Sequence, residues 1–434
     1  MSLLSSLIFF SGCSVEDRSP GPLSPEQALK SFQIHPDFRI EIFATEPHVI
    51  DPVELVFDED GRAFVAEMLD YPIDPVIGNP PRSRIRLLED FDKDGRVDHS
   101  RIFAENLLQV TSMLPWKGGL IVTSAPDILY LKDTDGDLRA DLRQVLFTGF
   151  SMGDPQARIT NLRFGIDNWI YASNYGQPGT ITSPAFPGAQ SVSVLGADFR
   201  FQIDQGRFEA ASGTAQFGLA IDDWGRRFIT QNTVHVRHVV IPRRYLERNP
   251  YLSRGNTMQD ISDHGRPAAQ IFQLTSPQDW RKTRTQIRQR RFDELDVDRT
   301  EVASGYFTGA SGGTFYTGDT FLEKYRGNLF TGDVVGNLVH RDLIVSEGPI
   351  FRAERAPEER DREFLASTDP WFRPCNFTTG PDGNLYMIDI YREFIETPVS
   401  IPSSLLKNMN MFSGDELGRI YRIVRVDSPP AQPI

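Results

Sequence analysis

Cysteine is nearly absent: the 434 residues contain only Cys13 and Cys375. Two thiols, one of them at the extreme N-terminus, exclude a disulfide framework. No Cys-x-x-Cys-His run occurs, so no covalently attached c-type haem is expected. Long apolar runs are missing as well, and the one near the start is too short to span a bilayer. Cations are outnumbered, with 46 Lys and Arg against 59 Asp and Glu and a net charge of −13. That balance excludes nucleic acid as the main partner, because phosphate binding needs a basic surface. Stretches of the helix formers Ala, Glu, Lys and Leu are scarce, whereas there are 34 Gly, 30 Pro and 30 Phe. This composition leans towards many short strands joined by tight turns.

The start reads "MSLLSSLIFFSGCS", a short apolar stretch ending in small residues before Cys13. Such a pattern is expected of a bacterial lipoprotein signal, with residues 1–13 as the export segment and Cys13 as the lipidated residue. Export to the periplasm or cell surface and a lipid anchor in a membrane follow as expectations. Residues 14–33 read as a flexible tether.

One unit then recurs: an apolar strand, a tight Asp/Gly/Asn turn and a second apolar strand that ends in polar groups. It appears in "VELVFDEDGRAFVAEMLD" (53–70), "VTSMLPWKGGLIVTSAPD" (110–127), "NLRFGIDNWIYASNYG" (161–176), "FGLAIDDWGRRFITQN" (217–232), "GGTFYTGDTFLEKYRGNLFTGDV" (312–334) and "CNFTTGPDGNLYMIDI" (375–390). Most steps between the turns are roughly 50 residues, the span of a four-stranded propeller blade. The step from Gly225 to Gly327 is double, and the polar, weakly patterned stretch 275–303 reads as an insertion. The sequence thus predicts an all-β fold, a six-bladed β-propeller over residues 34–424 with four-stranded blades. "FRIEIFATEP" (38–47) is expected to close the last blade beside "GRIYRIV" (418–424), removing a free sheet edge. Residues 425–434 read as a disordered tail.

In such a ring the second-strand ends converge on one rim, where convergent polar groups are the default site. The candidates for proton transfer there are His235, Asp389 and Glu67. Those for substrate or cofactor binding are Asp70, Arg163, Asn174, Asn232, Asp333, Arg373, Asn376 and Arg392. His238 stands three residues from His235, so on a strand the two point to opposite faces and make a poor metal pair. Asp389 and Arg392 read equally as a structural ion pair.

Two acidic loops stand apart from this rim. "DFDKDGRVD" offers Asp90, Asp92, Asp94 and Asp98, and "DTDGDLRAD" offers Asp133, Asp135, Asp137 and Asp141. Carboxylates at alternating positions suit Ca²⁺, although neither loop has the Glu at position 12 that an EF-hand uses. Both fall between third and fourth strands, so a Ca²⁺ there would be structural. The basic segment "DWRKTRTQIRQRRF" (279–292) reads as a lid, a docking patch for an acidic partner or a solvated loop.

The segments "FRIEIFATEPHVIDPVELVFDEDGRAFVAEMLDYP", "LPWKGGLIVTSAPDILYLKDTDGD" and "EFLASTDPWFRPCNFTTGPDGNLYMIDIYREFIETP" resemble the membrane-bound dehydrogenase domain family of planctomycete-type bacteria. The resemblance runs from about residue 34 to 424. It implies a six-bladed propeller distantly similar to soluble quinoprotein glucose and sorbosone dehydrogenases, with pyrroloquinoline quinone as cofactor and a cytochrome as electron acceptor. Two positions depart from that pattern. Ala157 stands where those enzymes place a catalytic His, and Thr214 where they place a quinone-binding Arg. Two functions follow. One is an oxidoreductase acting on a sugar or related alcohol. The other is a non-catalytic propeller that binds a glycan or protein partner.

Overall fold

The computed structural model describes residues 20–75, 79–249, 251, 255–266 and 268–428; Cys13 lies outside them. Six antiparallel blade sheets follow one another along the chain, with a small two-stranded sheet, Thr180–Ile181 and Val192–Ser193, in a connection of the third. Blade 1 is Pro52–Phe57, Ala63–Glu67, Ser83–Glu89 and His99–Leu107, and blade 2 is Ser112–Trp116, Gly119–Ser124, Asp127–Lys132 and Leu142–Thr148. Blade 3 is Thr160–Phe164, Ile170–Ser173, Asp198–Gln202 and Arg207–Ala211, and blade 4 is Gly218–Ile221, Arg227–Gln231, Val234–Val239 and Met258–Asp260. Blade 5 is built on Ala310–Phe315, Leu329–Asp333 and Leu338–Glu347. Its outer position is shared by Ile350–Arg355 and Leu365–Ser367, and Phe32–Ile34 adds a further strand. Blade 6 is Pro374–Thr379, Leu385–Asp389, Arg419–Arg425 and Phe38–Thr45.

The first strands of successive blades pack side by side, and that of blade 6 packs against that of blade 1, so the ring is closed. Closure uses the N-terminal strand as expected: Phe38 pairs with Arg425 and Thr45 with Arg419. The alternating patterns bury their apolar faces between blades. Phe64 and Leu87 meet Leu120 and Val122 between blades 1 and 2, Ile121 and Phe147 meet Phe199 and Phe201 between blades 2 and 3, and Phe330 and Val339 meet Phe377 and Met387 between blades 5 and 6. Inner strands approach closely at Gly312. Its φ is +65°, and a Cβ there would come within 2.6 Å of the Asn376 Cα, so only glycine fits.

Three segments differ from expectation. Residues 20–33 do not form a tether. Ser24 caps the short helix Pro25–Leu29 in a capping box, the Trp371 indole donates to the Pro20 carbonyl at 2.7 Å, and Phe32 packs edge-on against Phe372 and Tyr421. Arg425 ends the closing strand and residues 426–428 form an ordered turn beside it, with the Val426 N–H bonded to Asp37 O; residues 429–434 lie outside the described residues. The insertion 275–303 contains a 16-residue helix, Asp279–Glu294. Its hydrophobic pattern is weak because it docks through arginines, so helix periodicity could not reveal it.

Candidate functional site

The turns joining first to second strands lie on one face of the disc, with both acidic loops. The opposite face carries a cavity of about 150 Å³ at the mouth of the channel. Its wall mixes apolar groups (Val53, Phe217, Val334, Ile390, Ile395) with amides and hydroxyls (Gln156, Asn161, Gln216, Asn232, Ser311, Asn376). These polar groups are mutually ordered. The Gln156 amide donates to the Tyr71 hydroxyl at 2.8 Å, and the Gln216 amide to the Gln156 carbonyl at 3.1 Å. Gln216 Oε1 accepts the Asn232 N–H at 3.1 Å. The Asn232 side chain is exposed and makes no hydrogen bond among the described residues.

Charge at the mouth is neutralised from within. Glu396 pairs with Arg281 at 2.7 Å and Arg284 at 3.0 Å, both on the helix Asp279–Glu294. Burial opposes its charge, but the two guanidiniums prevail and hold the carboxyl below its usual range. The same helix packs Trp280 edge-on against Phe394 and bonds Arg288 to the Ser400 carbonyl. The basic segment is thus a brace on residues 393–400, which form part of the wall. Arg158 is tied to Asp74 through two bonds, at 2.9 and 2.5 Å. Burial raises both the Tyr71 hydroxyl and the Cys375 thiol, so neither ionises readily.

Of the binding candidates, Asn232 and Asn376 line this cavity; most of the others hold the blades together. The acids at second-strand ends turn back to accept amides from the segment leading into the first strand of their own blade. Glu67 accepts the Ile50 N–H at 2.8 Å, Asp333 accepts Thr308 and Gly309 at 2.9 and 3.1 Å, and Asp389 accepts Arg373 at 2.8 Å. Each bond satisfies a buried donor that the sheet leaves unpaired. Glu67 is further paired with Arg84 and Arg86. Asp70 accepts the amides of Arg82 and Ser83 and the Ser83 hydroxyl. The Asn174 amide donates to the carbonyls of Gln177, Val194 and Ala197. Arg373 spends its guanidinium on the carbonyls of Val334, Arg392 and Glu393. Arg392 pairs not with Asp389 but with Asp51, at 2.6 and 2.5 Å and fully buried. Arg163 is inside the channel, 2.7 Å from Glu54 of blade 1.

His235 is not at the mouth. Gln231 pairs with Val234 across a tight turn, so His235 already belongs to the third strand of blade 4. It is buried between blades 4 and 5, stacked on Phe307 at 4.6 Å. His238 points elsewhere, stacked on Phe228, and burial with Arg226 nearby pushes its imidazole down to about 4. What the sequence reading missed is a constellation around His235: His264, His340 and Asp342. The available signal was the i, i+2 spacing of His340 and Asp342 on a strand, which puts both on one face.

In the acidic loops, Asp90, Asp92 and Asp98 converge, as do Asp133, Asp135 and Asp137; Asp94 and Asp141 are not in these groups. The loops are also self-satisfied. Asp90 accepts the amides of Asp94 and Gly95, Asp94 that of Arg96, and Asp141 that of Thr134.

Ala157 is buried in the short turn Pro155–Ala157 and does not form part of the cavity wall. Thr214 is likewise outside it, its hydroxyl accepting from the Gln231 amide at 3.0 Å. Among the described residues no imidazole lines the cavity, and its one guanidinium, Arg158, is held by Asp74, so the residues present do not fit pyrroloquinoline quinone as the resemblance would place it.

Among solved structures the chain is similar to several propellers at low identity. The calcium structure of Trichoderma reesei Carbohydrate-Active Enzymes Family AA12 is 11% identical with a TM-score of 0.48, covering 91% of this chain and 97% of that one. The holo form of the pyranose dehydrogenase PQQ domain from Coprinopsis cinerea is 13% identical with a TM-score of 0.46, covering 91% and 97%. The soluble aldose sugar dehydrogenase of Escherichia coli, in the apo-form, is 11% identical with a TM-score of 0.45, covering 89% and 99%. No curated protein matches the sequence. The family described as "Domain of unknown function (DUF7133)" matches residues 24–427, and the chain belongs to it.

Proposed function

We propose that the channel mouth binds a neutral polyhydroxylated molecule, a sugar or related alcohol, and that it does so without oxidising it. One observation carries this reading: the cavity wall alternates apolar groups with ordered amides and hydroxyls, and its one carboxylate, Glu396, is already neutralised by two arginines. Amides and hydroxyls exchange hydrogen bonds with sugar hydroxyls, and the apolar patches accept C–H faces. Hydride removal from an alcohol needs a base within reach of its proton. Glu396 is engaged, Tyr71 and Cys375 hold their protons, and Asp389 and Glu67 are bound to backbone amides. The oxidoreductase reading implied by the sequence resemblance therefore lacks its base here, and with it the need for a cytochrome acceptor. A surface glycan presents the same hydroxyl chemistry as a free sugar. Any Ca²⁺ in the acidic loops would brace the opposite face. From the sequence alone we further propose export and lipidation at Cys13, tested by the mass of the mature N-terminus.

The binding experiment is calorimetric titration of the purified chain with a panel of neutral sugars and polyols, and with matched sugar acids. Asn232→Trp should abolish binding while leaving the melting temperature unchanged. A parallel arm adds pyrroloquinoline quinone, Ca²⁺ and an artificial acceptor and follows acceptor reduction. Sugar-dependent turnover would overturn the non-catalytic reading, and binding that survives Asn232→Trp would remove the site from the mouth.

A further inference from the structure

Four metal-ligating side chains converge between blades 4 and 5, away from the cavity wall. His235 comes from the third strand of blade 4, His264 from the segment after Met258–Asp260, and His340 and Asp342 from one face of Leu338–Glu347. The three imidazole rings are almost equidistant, with centroids 5.2, 5.3 and 5.0 Å apart. Their Nε2 atoms all face the Asp342 carboxylate, at 3.1 Å from His235, 3.8 Å from His264 and 3.2 Å from His340. One ligand atom from each of the four residues lies within 4.8 Å of all the others. In a tetrahedron with bonds of about 2.0 Å, ligand atoms stand about 3.3 Å apart, so modest contraction suffices.

Two further observations point to an ion. His235 Nε2 and Asp342 Oδ2 face each other at 3.1 Å without the geometry of a hydrogen bond, His264 Nε2 makes none, and His235 and Asp342 are 1% and 0% exposed. Buried polar atoms are almost always satisfied, and here three that make no well-formed hydrogen bond belong to one cluster. The far sides of two rings are also held as metal-bound histidines usually are. His340 Nδ1 is 2.8 Å from Glu363, which is itself fixed by Arg355 at 2.9 Å, and His264 Nδ1 is 2.8 Å from Asp263. A carboxylate on Nδ1 keeps the proton there and leaves the Nε2 lone pair for a metal.

We propose that His235, His264, His340 and Asp342 bind one divalent transition-metal ion of the Zn²⁺ class, clamping blade 4 to blade 5. Three imidazoles and a carboxylate suit such an ion better than Ca²⁺ or Mg²⁺, which take oxygen ligands. Four protein ligands complete the tetrahedron, so the ion is structural and holds no open position for substrate. It also steadies the wall of the mouth, because Phe307 is stacked on His235 and the next residues, Thr308 to Ala310, line the cavity. The partly exposed His264 provides the entry path.

The test uses the untagged full chain, stripped with EDTA and then given Zn²⁺ or Co²⁺. Native mass spectrometry should find one Zn²⁺ per chain that survives gel filtration, with a raised melting temperature. Co²⁺ should give the intense visible absorption of a tetrahedral site. His264→Ala removes a ligand from a loop and should fold normally by circular dichroism, yet bind at least about 100-fold more weakly, beyond the usual effect of losing an outer-shell partner. Asp263→Asn should weaken binding about tenfold, and His238→Ala, on the same strand as His235 but outside the cluster, should leave it unchanged. Folded wild-type protein that takes up no Zn²⁺ would overturn the proposal. So would an octahedral Co²⁺ spectrum, or undiminished binding by His264→Ala.

Discussion

Asp389→Asn tests whether the acid at the end of a blade hairpin is a structural staple. Asp389 is fully buried. Its Oδ1 accepts the Arg373 and Tyr391 amides at 2.8 and 2.9 Å, and its Oδ2 has no hydrogen-bond partner. Burial pushes the carboxyl up to about 7 from 3.8, against the pull of those amides and of Arg419. A raised folded-state pKa contributes stability that is complete below the unfolded pKa near 3.8 and is lost as the pH rises through 7. Between pH 5 and 8 that loss is roughly 2–3 kcal/mol. Asn offers the two amides the same acceptor and does not titrate. The variant should therefore gain roughly 2–3 kcal/mol on the wild type over this range, whatever fixed penalty its extra N–H carries. Asp51 and Asp198, which burial also raises to about 7, titrate in both proteins and cancel in the difference. Urea unfolding at pH 5, 6, 7 and 8, followed by circular dichroism and tryptophan fluorescence, measures it. Parallel stability curves for the two proteins would refute the reasoning, because they would mean Asp389 is charged in the folded state throughout.

Arg392→Met should cost about 3–5 kcal/mol at pH 7, because it leaves Asp51 buried without its partner. In urea unfolding the double variant with Asp51→Asn should recover part of that loss, and a cost below about 1 kcal/mol would contradict the buried-pair account. Replacing Arg281 and Arg284 together by Ala releases Glu396. Amide exchange should then quicken across residues 279–294 and sugar affinity should fall; exchange as slow as in the wild type would show that the helix docks by other means. Because the acidic loops lie on the face opposite the cavity, adding Ca²⁺ or EGTA should leave calorimetric sugar affinity unchanged, and a shift would couple the two faces.

The fold was legible because closure of a propeller is written redundantly. Six hairpins repeat the same apolar–turn–apolar unit, and the strand that completes blade 6 is apolar enough at Phe38, Phe43 and Ala44 to be recognised at the other end of the chain. The site was less legible because the acids at three of the second-strand ends have a cause in the fold itself. Glu67, Asp333 and Asp389 each satisfy amides of the segment entering their own blade, so the repeat carries these acids for the sake of the fold. A feature repeated from blade to blade discriminates poorly among functions. The informative residues are those the repeat does not require. Asn232 has a free amide at the mouth, Glu396 draws its two arginines from an inserted helix, and His264 comes from the same long excursion between blades 4 and 5. That excursion has neither period 2 nor an apolar stripe, since its helix docks through Arg281 and Arg284, and patterning passes over it. His235, His264 and His340 are scattered over more than a hundred residues, and only the ring geometry brings them together. In a repeat fold, then, the departures from the repeat are the better guide to function, and here they converge on the seam between blades 4 and 5 and on the wall beside it.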